Sequence, residues 1–333
     1  MKPNDIRTLA ENLVGGDRRA LARAVTLVES TRSDHRRTAN QLLGEISAYT
    51  GGAIRVGISG APGVGKSTFI ETFGNHVLTQ GHKIAVLAVD PSSPRSGGSI
   101  LGDKTRMETL ARNPATFIRP SPSGGALGGL ARRTREAMLI CEAAGFDLVI
   151  VETVGAGQSE AAVADLVDVF VLLLPPAGGD QLQGLKKGIV ELADIIVVNK
   201  ADGDLARPAN QTQVDYQGAL TLLAKGTAQW SPPVLLASAI EGTGIDAVWN
   251  AIGDCRADHS GPDGISAKRA AQAKSWMWRA VEEKLLAQVR SDAQTGELIA
   301  SLEQQVVRGD KSPSAASEEI IAGFSLWKSD AGS

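Results

Sequence analysis

The sequence predicts an α/β fold of the P-loop NTPase class, with a mostly parallel central sheet and helical segments at both ends. Three observations carry that prediction. Short, near-continuous aliphatic runs recur between residues 54 and 238, separated by helical stretches. Runs that are apolar throughout suit strands buried on both faces of a parallel sheet, with right-handed crossovers between them. The first run leads into a glycine-rich phosphate-loop pattern, and the segments before residue 50 and after 261 show helical periodicity alone.

Along the chain, Ile6, Leu9 and Leu13 share one helical face, as do Leu21, Ala24, Val25 and Val28, and Ala39, Leu42, Leu43 and Ile46. Gly15-Gly16 separates the first two helices, and Asp17 is a fitting N-cap. Strands are expected at 54–59, 84–90, 116–119, 148–153, 169–174, 195–199 and 234–238. Helices are expected at 67–78, 127–144, 181–192, 208–225 and 245–252. A turn-rich linker, Asp258-His259-Ser260-Gly261-Pro262, precedes three further amphipathic stretches. These carry Trp276, Trp278, Phe324 and Trp327 in a chain that is 4% aromatic, so they either pack back on the core or form a dimerisation arm. The expected organisation is an N-terminal helical segment (1–50), a P-loop domain (51–260) and a helical dimerisation arm (261–333).

With 333 residues, 43% hydrophobic and 21% charged, the chain can bury a sizeable core. Lys and Arg total 34 against 37 Asp and Glu, and no basic run stands out, which argues against a nucleic-acid partner. Cys141 and Cys255 make neither a disulfide framework nor a C-x-x-C pair. The N-terminus lacks a signal-peptide core, and the longest aliphatic run, Val169 to Leu174, is too short to span a bilayer. A soluble, cytoplasmic protein with no membrane partner is expected.

Gly60-Ala61-Pro62-Gly63-Val64-Gly65-Lys66-Ser67 matches G-x-x-x-x-G-K-[ST] between a strand and a helix. Its glycines let backbone N–H groups turn onto phosphate oxygens, and the helix N-terminus adds partial positive charge. Lys66 is then the β/γ-phosphate lysine, Ser67 the Mg²⁺ hydroxyl, and Thr68 a further nucleotide-binding residue. Asn199-Lys200-Ala201-Asp202 follows a strand and reads as a guanine motif. Asp202 can accept from guanine N1–H and the 2-amino group together, worth roughly a thousandfold against adenine. Asn199 braces the loop and the stem of Lys200 lies along the base. Ser238-Ala239-Ile240 resembles the second base loop, whose N–H groups meet O6. Glu152 stands where most GTPases carry the Asp of D-x-x-G, ahead of Gly155, and Gln158 is a candidate for orienting water. Asp90 ends the second strand, a candidate base or metal-shell carboxylate, and Asp103 is either that or a helix N-cap.

Four strings together resemble a known family: Val89-Asp90-Pro91-Ser92-Ser93, Gly97 to Met107, Ile118-Arg119-Pro120-Ser121-Pro122-Ser123, and Glu152 to Glu160. They resemble the methylmalonyl-CoA mutase-associated GTPases, the MeaB/ArgK-type G-protein chaperones, a family with the human methylmalonic aciduria type A protein. The resemblance runs from about residue 15 to about 325. It implies a homodimer of the signal-recognition-particle-like GTPase class that binds GTP or GDP with Mg²⁺ and hydrolyses GTP. With no arginine evidently placed as a finger, hydrolysis is expected to be slow until a partner stimulates it. The implied partner is an adenosylcobalamin-dependent methylmalonyl-CoA mutase on a separate chain, whose cofactor delivery is gated and whose activity is protected or rescued. It further implies that Asp90, Asp103 and Glu152 are the carboxylates around Mg²⁺ and act with Lys66 in catalysis. Pro175 to Lys187 would be a coupling segment with Asp180, Gln183 and Lys186 as its polar members. Arg95, Arg106, Arg119, Arg132 and Arg133 are the arginines from which one could act in cis. On residues alone, a nickel-insertion-type metallochaperone GTPase and a small-molecule kinase stay open. Against the first stand four dispersed histidines (His35, His76, His82, His259); against the second, the N-K-x-D tetrad.

Overall fold

The computed structural model describes residues 3–89, 107–121, 127–153, 160–176, 187–223, 230–258 and 264–330. All seven expected strands are present: β1 (Ile54–Gly60), β2 (Ile84–Val89), β3 (Thr116–Ser121), β4 (Leu148–Thr153), β5 (Val169–Leu174), β6 (Ile195–Val198) and β7 (Val234–Leu236). They form one sheet, parallel at every pairing, in the order β3-β2-β4-β1-β5-β6-β7. β2, β4, β5 and β6 are buried along their whole length, as the unbroken aliphatic runs predict. β3 runs two residues further than expected, through Pro120. It is an edge strand, paired only to β2, so the missing proline N–H costs no ladder bond.

Three N-terminal helices, α1 (Pro3–Val14), α2 (Arg18–Glu29) and α3 (Ser33–Ile46), precede the sheet. Asp17 caps α2 by accepting from the Ala20 N–H at 2.6 Å. The chain then adds α4 (Lys66–Thr79), α5 (Glu108–Arg112), α6 (Leu127–Ala143), α7 (Glu160–Ala164), α8 (Lys187–Val190), α9 (Ala206–Leu223) and α10 (Ile245–Asp258). Phe69, Ile70, Phe73 and Val77 of α4, with Val248 and Ile252 of α10, join the core around Val56, Ile58, Ile150 and Val171. α6 packs on β2 and β4 and is covered in turn by α2 and α3. Arg119 of β3 donates to Glu29 of α2 at 3.2 and 3.3 Å, and Arg18 donates to the carbonyls of Pro114 and Thr116. Charged hydrogen bonds therefore fasten the N-terminal helices to the edge strand.

The β1 N-terminus carries a second charged cluster. Arg55 Nε donates to Glu142 at 2.6 Å, and Asp168 accepts from the Arg55 backbone N–H and from Arg269. Pairing makes these buried charges tolerable.

The chain divides into two compact units, Met1–Arg269 and Ala270–Ser333. Helix α11 (Ile265–Ser291) is followed by α12 (Ala293–Arg308), capped by Asp292 through the Thr295 N–H at 2.9 Å, and by α13 (Pro313–Asp330). α12 packs against α13, with Leu302 and Ala316 buried. Among the described residues, no helix is long and apolar enough to cross a membrane.

Candidate functional site: a guanine-nucleotide crevice

β1 lies between β4 and β5, where the strand order reverses, and ligands of open α/β sheets bind beyond the strand ends at such a point. β1 ends at Gly60 and the chain turns through residues 61–65 into α4. Gly65 has φ of 94°, and a Cβ there would stand 2.9 Å from the Asn199 amide nitrogen. Only glycine takes that conformation and that approach without strain. Gly63 shares the left-handed conformation, with φ of 78°; Val64 is buried, and Thr68 is exposed on the first turn.

Lys66 folds back on its own loop, where Nζ donates to the carbonyls of Gly60 at 2.8 Å and Ala61 at 3.3 Å. Burial pushes its ammonium below the usual lysine range, and the carboxylates of Glu152 and Glu160 oppose that shift. Ser67 Oγ donates to Glu152 Oε1 at 3.3 Å. The β1–β4 register, Ile58 opposite Glu152, sets that carboxylate beside the phosphate loop, 2% exposed. One residue on, Thr153 Oγ1 donates to Ser59 Oγ at 2.8 Å and ties the two strand ends together. A hydroxyl and a carboxylate side by side are hard oxygen donors. Magnesium characteristically takes one or two such protein ligands and completes its shell with phosphate and water. The donor chemistry fits that ion.

The N-K-x-D tetrad sits directly against this loop. Asn199, 1% exposed, donates through Nδ2 to the Val64 carbonyl at 2.9 Å, and its Oδ1 accepts from the Ala239 N–H at 3.2 Å. Lys200 Nζ donates to the Gly63 carbonyl at 2.8 Å. Its φ of 62° is the one positive value outside glycine among the described residues, and such conformations cluster at ligand sites. Asp202 is half-buried and accepts a hydrogen bond from the Ser238 hydroxyl. Ser238 also accepts from the Glu241 N–H at 3.1 Å, and Ile240 stands exposed at the loop tip. Gly244 closes the loop with φ of 72°; a Cβ there would lie 2.1 Å from the Leu236 carbonyl oxygen.

Asp90, Asp103, Gly155, Gln158, Asp180, Gln183, Lys186, Arg95, Arg106 and His259 lie outside the described residues. Of the remaining arginines, Arg119 is engaged with Glu29, Arg132 lies 3.9 Å from Glu136, and Arg133 is buried. His35 meets Ser30, His76 meets Gln80, and His82 lies between Asp147 and Trp249. Among the described residues, no group of three or more His, Cys, Asp or Glu could hold a metal. Burial pushes the Cys255 thiol up to about 12 and raises that of Cys141 too, so neither is poised as a thiolate.

Two residues of this crevice carry no motif. Glu160 is buried at the start of α7, and its charge acts on Lys66. It ends one of the family-like strings, but nothing in its spacing marks a role. Thr72 of α4 donates from Oγ1 to the Ala239 carbonyl at 2.6 Å, and a threonine inside an amphipathic helix gives no signal of that kind.

A parallel sheet whose phosphate loop, strand-end carboxylate and N-K-x-D tetrad converge at the reversal of strand order defines a P-loop GTPase. The methylmalonyl Co-A mutase-associated GTPase MeaB family matches residues 21–294, and the chain belongs to that family. It is 50% identical to the GTPase ArgK of Escherichia coli over 84% of this chain and 85% of that protein. It is 47% identical to the mitochondrial methylmalonic aciduria type A homolog of Mus musculus, over 95% of this chain and 79% of that one. A crystal structure described as a LAO/AO transport system kinase superposes with a TM-score of 0.77 at 37% identity, over 98% of this chain and 99% of that one.

Proposed function

We propose that this GTPase is a cytoplasmic, homodimeric chaperone that gates adenosylcobalamin delivery to methylmalonyl-CoA mutase, a separate chain, and protects or reactivates it. The observation that carries the reading is the strapping of Asn199 and Lys200 onto Val64 and Gly63, in a chain whose family is described by its association with that mutase. Base and phosphates would thus be read by one connected loop system.

In this reading GTP displaces Lys66 from the carbonyls of Gly60 and Ala61, and its ammonium turns to the β- and γ-phosphates. Ser67 and Glu152, with Asp90 and Asp103, would hold Mg²⁺, which when bound would supply positive charge against the phosphates. Asp202 reads the guanine N1–H and 2-amino group, and Asn199 keeps the two base loops at their spacing. No arginine is evidently placed as a finger in the sequence, and among the described residues Arg119 is held by Glu29 and Arg133 is buried. Slow turnover by the chain alone, raised when a partner completes the site, is the expectation. Asp180, Gln183 and Lys186 are the residues through which the mutase would sense the nucleotide. The dimer would use the exposed stripe Met277, Val281 and Leu285 of α11.

The test is steady-state GTP hydrolysis with and without purified methylmalonyl-CoA mutase. A rise of about tenfold, or about 1.4 kcal/mol off the barrier, is expected. An unchanged rate, with no complex detectable in GTP or GDP, would remove the mutase from the reading and leave the GTPase.

A further inference from the structure

The base loop after β7 has its backbone acceptors engaged within the protein. Three consecutive carbonyls each have a donor from the protein: Ala237 accepts from the Ala201 N–H at 3.0 Å, Ser238 from the Gly242 N–H at 2.9 Å, and Ala239 from Thr72 Oγ1 at 2.6 Å. The first two are contacts of neighbouring loop backbone. The third comes from α4, the helix that begins at the phosphate-loop lysine. Ala239 is held at both ends, since its N–H donates to Asn199 Oδ1. The Thr72 methyl also lies where a Cβ on Gly242 would touch it at 3.9 Å, so the side chain is lodged against the loop.

Guanine and adenine differ at position 6, where guanine carries a carbonyl oxygen and adenine an amino group. A loop that offers a free carbonyl there attracts the amino group and repels O6; a loop without one does the opposite. We propose that Thr72 is a specificity-positioning residue that excludes adenine nucleotides, by holding the Ala239 carbonyl on α4 and away from the purine 6-position. The inference rests on the guanine-nucleotide reading of this crevice and assigns it a second discrimination. Asp202 reads the 1- and 2-positions; the Thr72 clamp governs the 6-position. Because the clamp joins the base loop to α4, it also fixes the distance between base and phosphate sites.

The test compares GDP, IDP and ADP binding by calorimetry to the full-length wild type, Thr72→Val and Thr72→Ser. Valine keeps the shape and removes the donor; serine keeps the donor. IDP has the O6 of guanine but lacks its 2-amino group, which separates the two discriminations. In Thr72→Val, GDP and IDP affinities should fall together by about tenfold while ADP affinity holds or rises, narrowing the GDP/ADP ratio by about tenfold or more. The GDP/IDP ratio, set by Asp202, should stay as in wild type. Thr72→Ser should restore the GDP/ADP ratio. A wild-type GDP/ADP ratio in a folded Thr72→Val protein overturns the clamp, as does a uniform loss for all three nucleotides that serine fails to rescue. Failure of the wild type to bind GDP in preference to ADP would instead sink the guanine reading itself.

Discussion

Asp202 shows how one side chain depends on a neighbour from another loop. One of its oxygens accepts the Ser238 hydroxyl, which orients the carboxylate. Replacing it by asparagine keeps the size and exchanges one acceptor for a donor. Asp202→Asn should lower GTP affinity by about a hundredfold or more and shift preference toward xanthosine nucleotides, read by competitive binding of GDP and XDP. Unaltered GDP affinity in that variant would show that Asp202 does not meet the base. Lys66, Ser67, Asn199 and Asp202 were legible because loop chemistry forces their types and spacing. Thr72 and Glu160 were not. Each acts across a distance in sequence that no local pattern encodes, and each is an ordinary residue for the helix that carries it.

At the scale of elements, β3 and α2 depend on one another. β3 is an edge, and the polar groups on its open side are partly taken by Arg18, while Glu29 holds Arg119. Glu29 is buried and its charge also acts on the buried Arg133, so its loss leaves two guanidinium groups short of counter-charge. Glu29→Ala should destabilise the fold by roughly 2–3 kcal/mol, somewhat below a fully buried pair because Arg119 keeps some contact with water. A urea-unfolding midpoint measures this, and an unshifted midpoint would mean that the helices are held by apolar packing alone. The periodicity of residues 6–46 announced the helices and their buried faces. It held nothing about Arg119, one of the five arginines from which one could act in cis. Which way an arginine at a strand end points is settled by the element packed beside it.

For the whole molecule, the helices after residue 265 present a different kind of surface. Met277, Trp278, Leu285 and Leu286 are each at least half exposed, and α11 contributes no fully buried residue. A stripe of that size on one helix calls for a covering surface, and a second copy of the chain is the one proposed here. Leu285→Asp in the full-length chain should move the protein from dimer to monomer in sedimentation at micromolar concentration. A wild-type monomer, or a dimer indifferent to this change, would rule out that stripe as the interface.

By itself the sequence determined the class of fold, the order of strands and helices along the chain, and the phosphate and base motifs. Those are set by local chemistry: unbroken aliphatic runs need burial on two faces, and glycine-rich turns need left-handed backbone. Tertiary structure alone decided the order of strands across the sheet and the register that puts Glu152 beside Ser67. It also decided the hydrogen bonds that bind Asn199, Lys200 and Thr72 into one crevice. These contacts join residues far apart in sequence, and their partners are chosen by how the layers pack around β1.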